Sequence, residues 1–141
     1  GTYANRLIDY PTLKVRLLHW LNAHYGATGY LHWGLNYWDG LASPFADVEP
    51  AHTSDTVLPP GDCGIVYPGP GGPLSSIRFE AMRDGIADYE LLHELASKHP
   101  AAAKEVTQAV IRDFNDYQLD TAHFRRARIR LLDEVAEVQK A

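Results

Sequence analysis

The sequence predicts an α/β fold, and within that class the C-terminal segment of a (β/α)8 TIM barrel. Three observations lead there. A helix pattern over residues 11–25 runs into the ring-rich stretch Thr28-Gly-Tyr-Leu-His-Trp-Gly-Leu-Asn-Tyr-Trp38, whose alternation is that of a strand. Both faces of that strand carry bulk, which suits a strand covered on both sides, yet the chain supplies almost no other strand to pair with it. A Pro/Gly loop over residues 39–74 then leads into a second helix. Helix, buried strand, long loop, helix is the order of a repeating β/α unit. In such a barrel the site lies at the C-terminal ends of the strands and in the loops after them. That rule puts Asn36, Tyr37, Trp38 and the 39–74 loop on the active face.

The elements follow in order. Residues 1–9 are short and mixed. Asp9-Tyr-Pro11 reads as a helix start, because proline near the first helical position gives up an N–H that has no partner there anyway. Leu13, Leu17, Trp20, Leu21 and Tyr25 keep the spacing of one buried stripe, and Gly26 closes the helix. Residues 28–33 read as the strand, with Leu31, Trp33 and Leu35 alternating against His32, Gly34 and Asn36. The loop over 39–74 holds seven of the nine prolines and six of the eleven glycines, and structureless loops of such length inside compact domains usually carry function. Ile65-Val66-Tyr67 is an apolar island in it, expected as a short strand or hairpin arm. Ser75 or Ser76 caps a second helix running to about Lys98, with Met82, Ile86, Tyr89 and Leu92 on its stripe. Gly85 costs about 1 kcal/mol in a helix interior and so marks tight packing. Pro100 starts a third helix, with Val106, Val110, Phe114 and Tyr117 on one face, and Asp120 or Thr121 caps a fourth. The predicted division is residues 1–98, the last part of the barrel, and 99–141, a helical extension.

At 141 residues the chain is one domain or part of one, with core enough to fold. The net charge of −5 argues against nucleic acid. Arg125, Arg126, Arg128 and Arg130 cluster, but Asp133, Glu134 and Glu137 follow, so a solvated helix face is expected. Cys63 is the lone cysteine and gives no vote on compartment. No apolar run approaches the ~20 residues of a membrane span, and no signal peptide is read. The start at Gly1-Thr2-Tyr3 suggests a piece of something longer, or a mature or tagged product.

Trp33, Tyr37 and Trp38 can stack on the C–H face of a sugar ring, with Asn36 binding a hydroxyl or acetamido group. The plainer alternative for Trp33 is core. Asp62 and Tyr67 sit on or beside a Gly-flanked turn, where ordinary turn chemistry competes with a ligand role. Arg78 and Glu80 open the helix after the loop, where polar and anionic groups gather; Glu80 equally suits the helix dipole alone. These eight residues are the expected substrate-binding set, with no catalytic residue among them. His19 and His24 are five apart and His93 and His99 six apart, which makes no metal motif. No cofactor is expected. Nucleophile-elbow and phosphate-loop motifs are absent from the sequence. A glycosidase needs two carboxylates across the scissile bond, and no such pair stands at a strand end.

Four blocks carry a resemblance: Tyr10-Pro11; Tyr25-Gly-Ala-Thr-Gly-Tyr-Leu-His-Trp-Gly-Leu-Asn-Tyr-Trp38; Gly61-Asp62 with Val66-Tyr-Pro-Gly69; and Ser76-Ile-Arg-Phe-Glu-Ala-Met-Arg-Asp-Gly-Ile-Ala-Asp-Tyr-Glu90. Over about residues 1–95 the chain resembles the C-terminal part of the catalytic domain of glycoside hydrolase family 123 and its uncharacterised relatives. The resemblance implies a (β/α)8 barrel acting as a β-N-acetylgalactosaminidase, in which the substrate's own acetamido group attacks the anomeric carbon. It also implies an adjacent Asp-Glu pair on an earlier strand. Here the one adjacent pair, Asp133-Glu134, falls in the last predicted helix, and Cys63 departs from the usual Gly-Asp-Gly. The expected function is therefore the sugar-binding wall of a glycoside hydrolase that lacks its catalytic pair and is inactive alone. A non-catalytic carbohydrate-binding or assembly module is the alternative. Expected partners are an N-acetylhexosaminide and, through the strand edge, a second copy or the rest of the barrel. A parent like the family would be secreted or at the cell surface.

Overall fold

The computed structural model describes residues 2–39, 41–46, 48–52 and 55–140. It is a mixed α/β structure of four helices and three small antiparallel hairpins among those residues. Helix α1 spans Thr12–Tyr25 and ends on Gly26, whose φ of 69° is left-handed. Helix α2 spans Ile77–Lys98, and Ser76 caps it by accepting the Phe79 N–H. Strong periodicity in both sequences explains why their expected limits hold to a residue or two.

Between them the 39–74 stretch is broken into small units. A 3-10 turn covers Pro44–Ala46. Strands β1 (Ala51–His52) and β2 (Val57–Leu58) pair, as do β3 (Val66–Gly69) and β4 (Gly72–Ser75). The second pair realises the hairpin arm expected from Ile65-Val66-Tyr67.

Two expectations need correction. The strand expected over 28–33 has no ladder; the regular pairing nearby is a single bridge between Asn36 and Gly64. A strand needs a neighbour to take its N–H and C=O groups, and among the described residues none runs beside 28–33. Its alternation persists with an unexpected sense. Leu31, Trp33 and Leu35 face outward at 87%, 49% and 51% exposure, while Gly34 is buried and His32 is mostly covered. The third helix, α3, stops at Gln108 instead of continuing through Tyr117. β-Branched Val110 and Ile111 and the turn-forming Asp113-Phe-Asn-Asp116 favour a hairpin there. Strands β5 (Ile111–Asp113) and β6 (Asp116–Tyr117) form it, with an irregular register between Ile111 and Asp113. Phe114, expected on a buried stripe, is exposed at its tip. Helix α4 spans Thr121–Lys140, and Asp120 caps it by accepting the His123 N–H at 2.6 Å.

The core is built by the helices and the last hairpin. Leu17 and Trp20 of α1 meet Leu92 and Leu95 of α2, Val106 of α3, Ile111 of β5, and Phe124 and Leu131 of α4. Fully buried Asp88 crosses this core. It receives Arg16 through two N–H groups at 2.7 and 3.0 Å, the Trp20 Nε1–H at 2.9 Å and the Arg128 Nε–H at 2.9 Å. Gly85 lets α1 approach α2 closely, since a Cβ there would lie 2.7 Å from the Arg16 carbonyl oxygen.

Candidate functional site

Cys63 and Ile65 are buried outside the main core. They mark a second centre, where the ring-rich segment meets the turn over residues 61–65. Tyr37 donates its N–H to the Cys63 carbonyl at 2.9 Å, and Ile65 donates to the Leu35 carbonyl at 3.0 Å. The two backbones approach so closely that a Cβ on Gly34 would sit 2.9 Å from the Cys63 oxygen, and one on Gly64 3.0 Å from the Leu35 oxygen. Glycine at both positions is what permits the contact.

Arg78 ties this centre to the start of α2. It is 4% exposed. One terminal nitrogen donates to the carbonyls of Arg6 and Gly61 at 2.7 and 2.6 Å. The other donates to the Gly64 carbonyl and the Tyr67 hydroxyl, both at 2.8 Å. Gly61 lies at φ 81°, and a Cβ there would fall 2.6 Å from the guanidinium. Ser76 adds a second tie by donating its hydroxyl to the Ile65 carbonyl at 2.6 Å. Tyr67 stacks on Phe45 with centroids 5.8 Å apart.

Asp62 faces the rings. One carboxylate oxygen accepts the Trp33 indole N–H at 2.9 Å, and the other lies 3.3 Å from His32 Nε2. His32 Nδ1 in turn stands 2.6 Å from a terminal nitrogen of Arg6, which also donates to the Gly34 carbonyl. Burial first, then the Arg6 charge, holds the His32 pKa below its ordinary 6.5, against the opposing pull of Asp62. Tyr30 is raised above its ordinary value, chiefly by burial, with Asp62 pushing the same way and Arg6 against it.

Trp33, Asn36, Tyr37 and Trp38 line one open cleft of about 480 Å³, with Leu35 and Asp39. Trp33 and Tyr37 meet edge to face, 5.3 Å between centroids. The Trp38 Nε1–H is buried and has no acceptor among the described residues. An N–H left so costs about 1–3 kcal/mol. The cleft is lined by flat apolar rings and one amide, a set fitted to a neutral, hydroxyl-rich molecule.

Seven of the eight expected residues thus gather in or behind one centre. Trp33, Asn36, Tyr37 and Trp38 line the cleft; Asp62, Tyr67 and Arg78 brace it. Glu80 stands apart. It accepts from Ser75, pairs with Arg83, and lines a different cavity of about 450 Å³ with Arg16, Phe124 and Arg128. Arg6 and His32 were missed as site residues. The alternation that sets His32 beside Gly34 on the inward side was the available signal for His32; nothing in the short mixed segment singles out Arg6. No group of three or more His, Cys, Asp or Glu able to hold a metal occurs among the described residues.

Residues 1–95 match the family model described as the catalytic domain of glycoside hydrolase 123. The match spans about two thirds of the 141 residues, so the chain belongs to glycoside hydrolase family 123. No curated protein matches the sequence.

Proposed function

We propose that this member of glycoside hydrolase family 123 is the C-terminal portion of a (β/α)8 catalytic domain, supplying one wall of a sugar subsite and not the catalytic pair. The observation that carries the reading is the cleft lined by Trp33, Asn36, Tyr37 and Trp38, inside the family-matched residues. The rings would cover the C–H face of a pyranoside. The Asn36 amide would take a hydroxyl or acetamido oxygen. Asp62, Tyr67 and Arg78 fix the wall, and Glu80, expected in the same subsite, lies in the separate cavity beside Arg16 and Arg128. The substrate class is an N-acetylhexosaminide, with a β-N-acetylgalactosaminide as the first choice. In this reading residues 1–98 belong to the barrel and 99–141 extend it. Asp133-Glu134 on α4 lies outside the matched residues, which supports assigning the catalytic pair elsewhere.

The test is an assay of the purified chain with an aryl β-N-acetylgalactosaminide. No turnover is expected, and hydrolysis above background overturns the proposal. A second reading, a non-catalytic carbohydrate-binding or assembly module, is favoured by the outward Leu31, Trp33 and Leu35 and their unladdered backbone. Titration with N-acetylgalactosamine, followed by tryptophan fluorescence, separates them. Saturable binding by the chain alone favours the module, and silence favours one wall of a larger pocket.

A further inference from the structure

Arg6, His32, Asp62 and the Trp33 indole form an unbroken line of polar contacts from the N-terminal segment to the ring cleft. One neutral tautomer satisfies every link of that line; the Gly34 carbonyl, 3.1 Å from His32 Nδ1, lies outside the line and takes its proton from Arg6. A guanidinium can only donate, so at 2.6 Å from Arg6 the Nδ1 of His32 must accept. The Gly34 N–H, 3.3 Å from the same nitrogen, points the same way. The proton then sits on Nε2, which donates to Asp62 at 3.3 Å. Asp62 keeps its other oxygen for the Trp33 N–H at 2.9 Å. The opposite tautomer would set N–H against N–H at Arg6 and lone pair against lone pair at Asp62. With both oxygens occupied, Asp62 acts on the cleft through the ring it holds.

We propose that His32 is a positioning residue: as the neutral Nε2–H tautomer it links Arg6 to Asp62, and the linked carboxylate fixes the plane of Trp33 in the cleft wall. The role for sugar rests on the function proposed above; the link itself does not. Its consequence is a pH response confined to one ring. The charged groups facing His32 are Arg6 from the N-terminal segment and Asp62 from the 61–65 turn, with Tyr30 beside them and Arg78 bonded to the Arg6 carbonyl. A proton on Nδ1 would meet the Arg6 guanidinium head-on, so acidification breaks the Arg6 link first and loosens the carboxylate that holds the indole.

Nitrogen-15 NMR of the full chain tests this. Long-range imidazole spectra should show His32 as the Nε2–H tautomer at neutral pH, a measurement that needs no variant. The Trp33 indole N–H, assigned by its loss in Trp33→Phe, should shift along the His32 titration curve, while the Trp20 indole, held by Asp88, stays still. In His32→Phe and Asp62→Asn the Trp33 indole proton should exchange about tenfold faster, the opening expected when one hydrogen bond is lost. His32→Gln, which keeps a donor towards Asp62, should restore most of the protection. An Nδ1–H tautomer, or a Trp33 indole indifferent to His32→Phe, overturns the proposal. Sugar titration is read separately. A chain that binds N-acetylgalactosamine should lose about fivefold or more in affinity on His32→Phe, with Trp33 only partly ordered. A chain that binds no sugar counts against the module reading alone, since the indole resonance still decides on the link.

Discussion

Removing Arg78 should unlock the cleft without melting the helices. Its guanidinium satisfies the carbonyls of Arg6, Gly61 and Gly64 and the Tyr67 hydroxyl from a buried position. Arg78→Ala strands three carbonyl oxygens, each worth about 1–3 kcal/mol when left buried and unpaired. Water can reach a loop that opens, which caps the penalty near the low end, at about 3 kcal/mol. The main core contains no residue of the 61–67 turn, so the loss is local. The reporters are the amides of Tyr37 and Ile65, which bond across the two segments at 2.9 and 3.0 Å. Native-state hydrogen exchange should show both amides about a hundredfold faster, the equivalent of that penalty. Amides in the middle of α1 and α4 should hardly change. Arg78→Lys keeps a charge but loses the fork, and should fall in between, at about tenfold. Unchanged Tyr37 and Ile65 amides would refute the clamp. Equal acceleration across α1 and α4 would show that Arg78 holds up the whole molecule.

Three further outcomes follow from other parts of the structure. Asp88→Ala removes the shared acceptor of Arg16, Arg128 and Trp20, and should cost about 3–5 kcal/mol in global urea unfolding, with Asp88→Asn milder. Gly85→Ala should lower Tm even though alanine gains about 1 kcal/mol in helix propensity, because the new Cβ would stand 2.7 Å from the Arg16 oxygen; a rise in Tm would show that α1 and α2 can part cheaply. His19, His24 and His32 are all held below the ordinary 6.5, chiefly by burial, with Lys104 adding to His24 and Arg6 to His32. Unfolded histidines take up protons near 6.5 that the folded ones resist, so their contribution is complete above that pH and is lost as pH falls towards 5. Urea midpoints measured across that range should decline with acidity, and replacing His19 with Phe should flatten the slope.

The helices were legible because each carries its own signal. Pro11, Gly26, Ser76 and Asp120 mark ends by local chemistry. The apolar spacing found the buried face of α1 through Leu17, Trp20 and Leu21, but on α2 it missed: Gly85 and Asp88 are buried beside Leu92 and Leu95, and Ile86 of the expected stripe is exposed. The α3 boundary was not legible, because Val106, Val110, Phe114 and Tyr117 fit a helical stripe as well as they fit a helix end and a hairpin; only the Asp113-to-Asp116 turn residues tip the balance. At the site, ring type and sequence closeness were enough to group Trp33, Asn36, Tyr37 and Trp38. The roles of Asp62 and Arg78 depend on partners 11 to 72 positions away in the chain, which no local pattern encodes. Glu80 illustrates the converse. It lies two residues from Arg78, and the helical turn between them is enough to send the two side chains to different surroundings.

The ring-rich segment obeys a strand's period while lacking a strand's ladder, and the direction of its alternation explains both. A half-buried strand on its own core points its apolar residues inward and its polar ones out. Here Leu31, Trp33 and Leu35 point out, and His32 and Gly34 point towards Arg6 and the 61–65 turn. The polar side is the satisfied one. Its histidine, carbonyl and buried guanidinium are bonded to one another, so turning the segment over to bury the leucines would break the Arg6–His32–Asp62 bonds. A surface that covers Leu31 and Leu35, as the proposed barrel neighbour would, would meet a segment whose tryptophan is already set by Asp62.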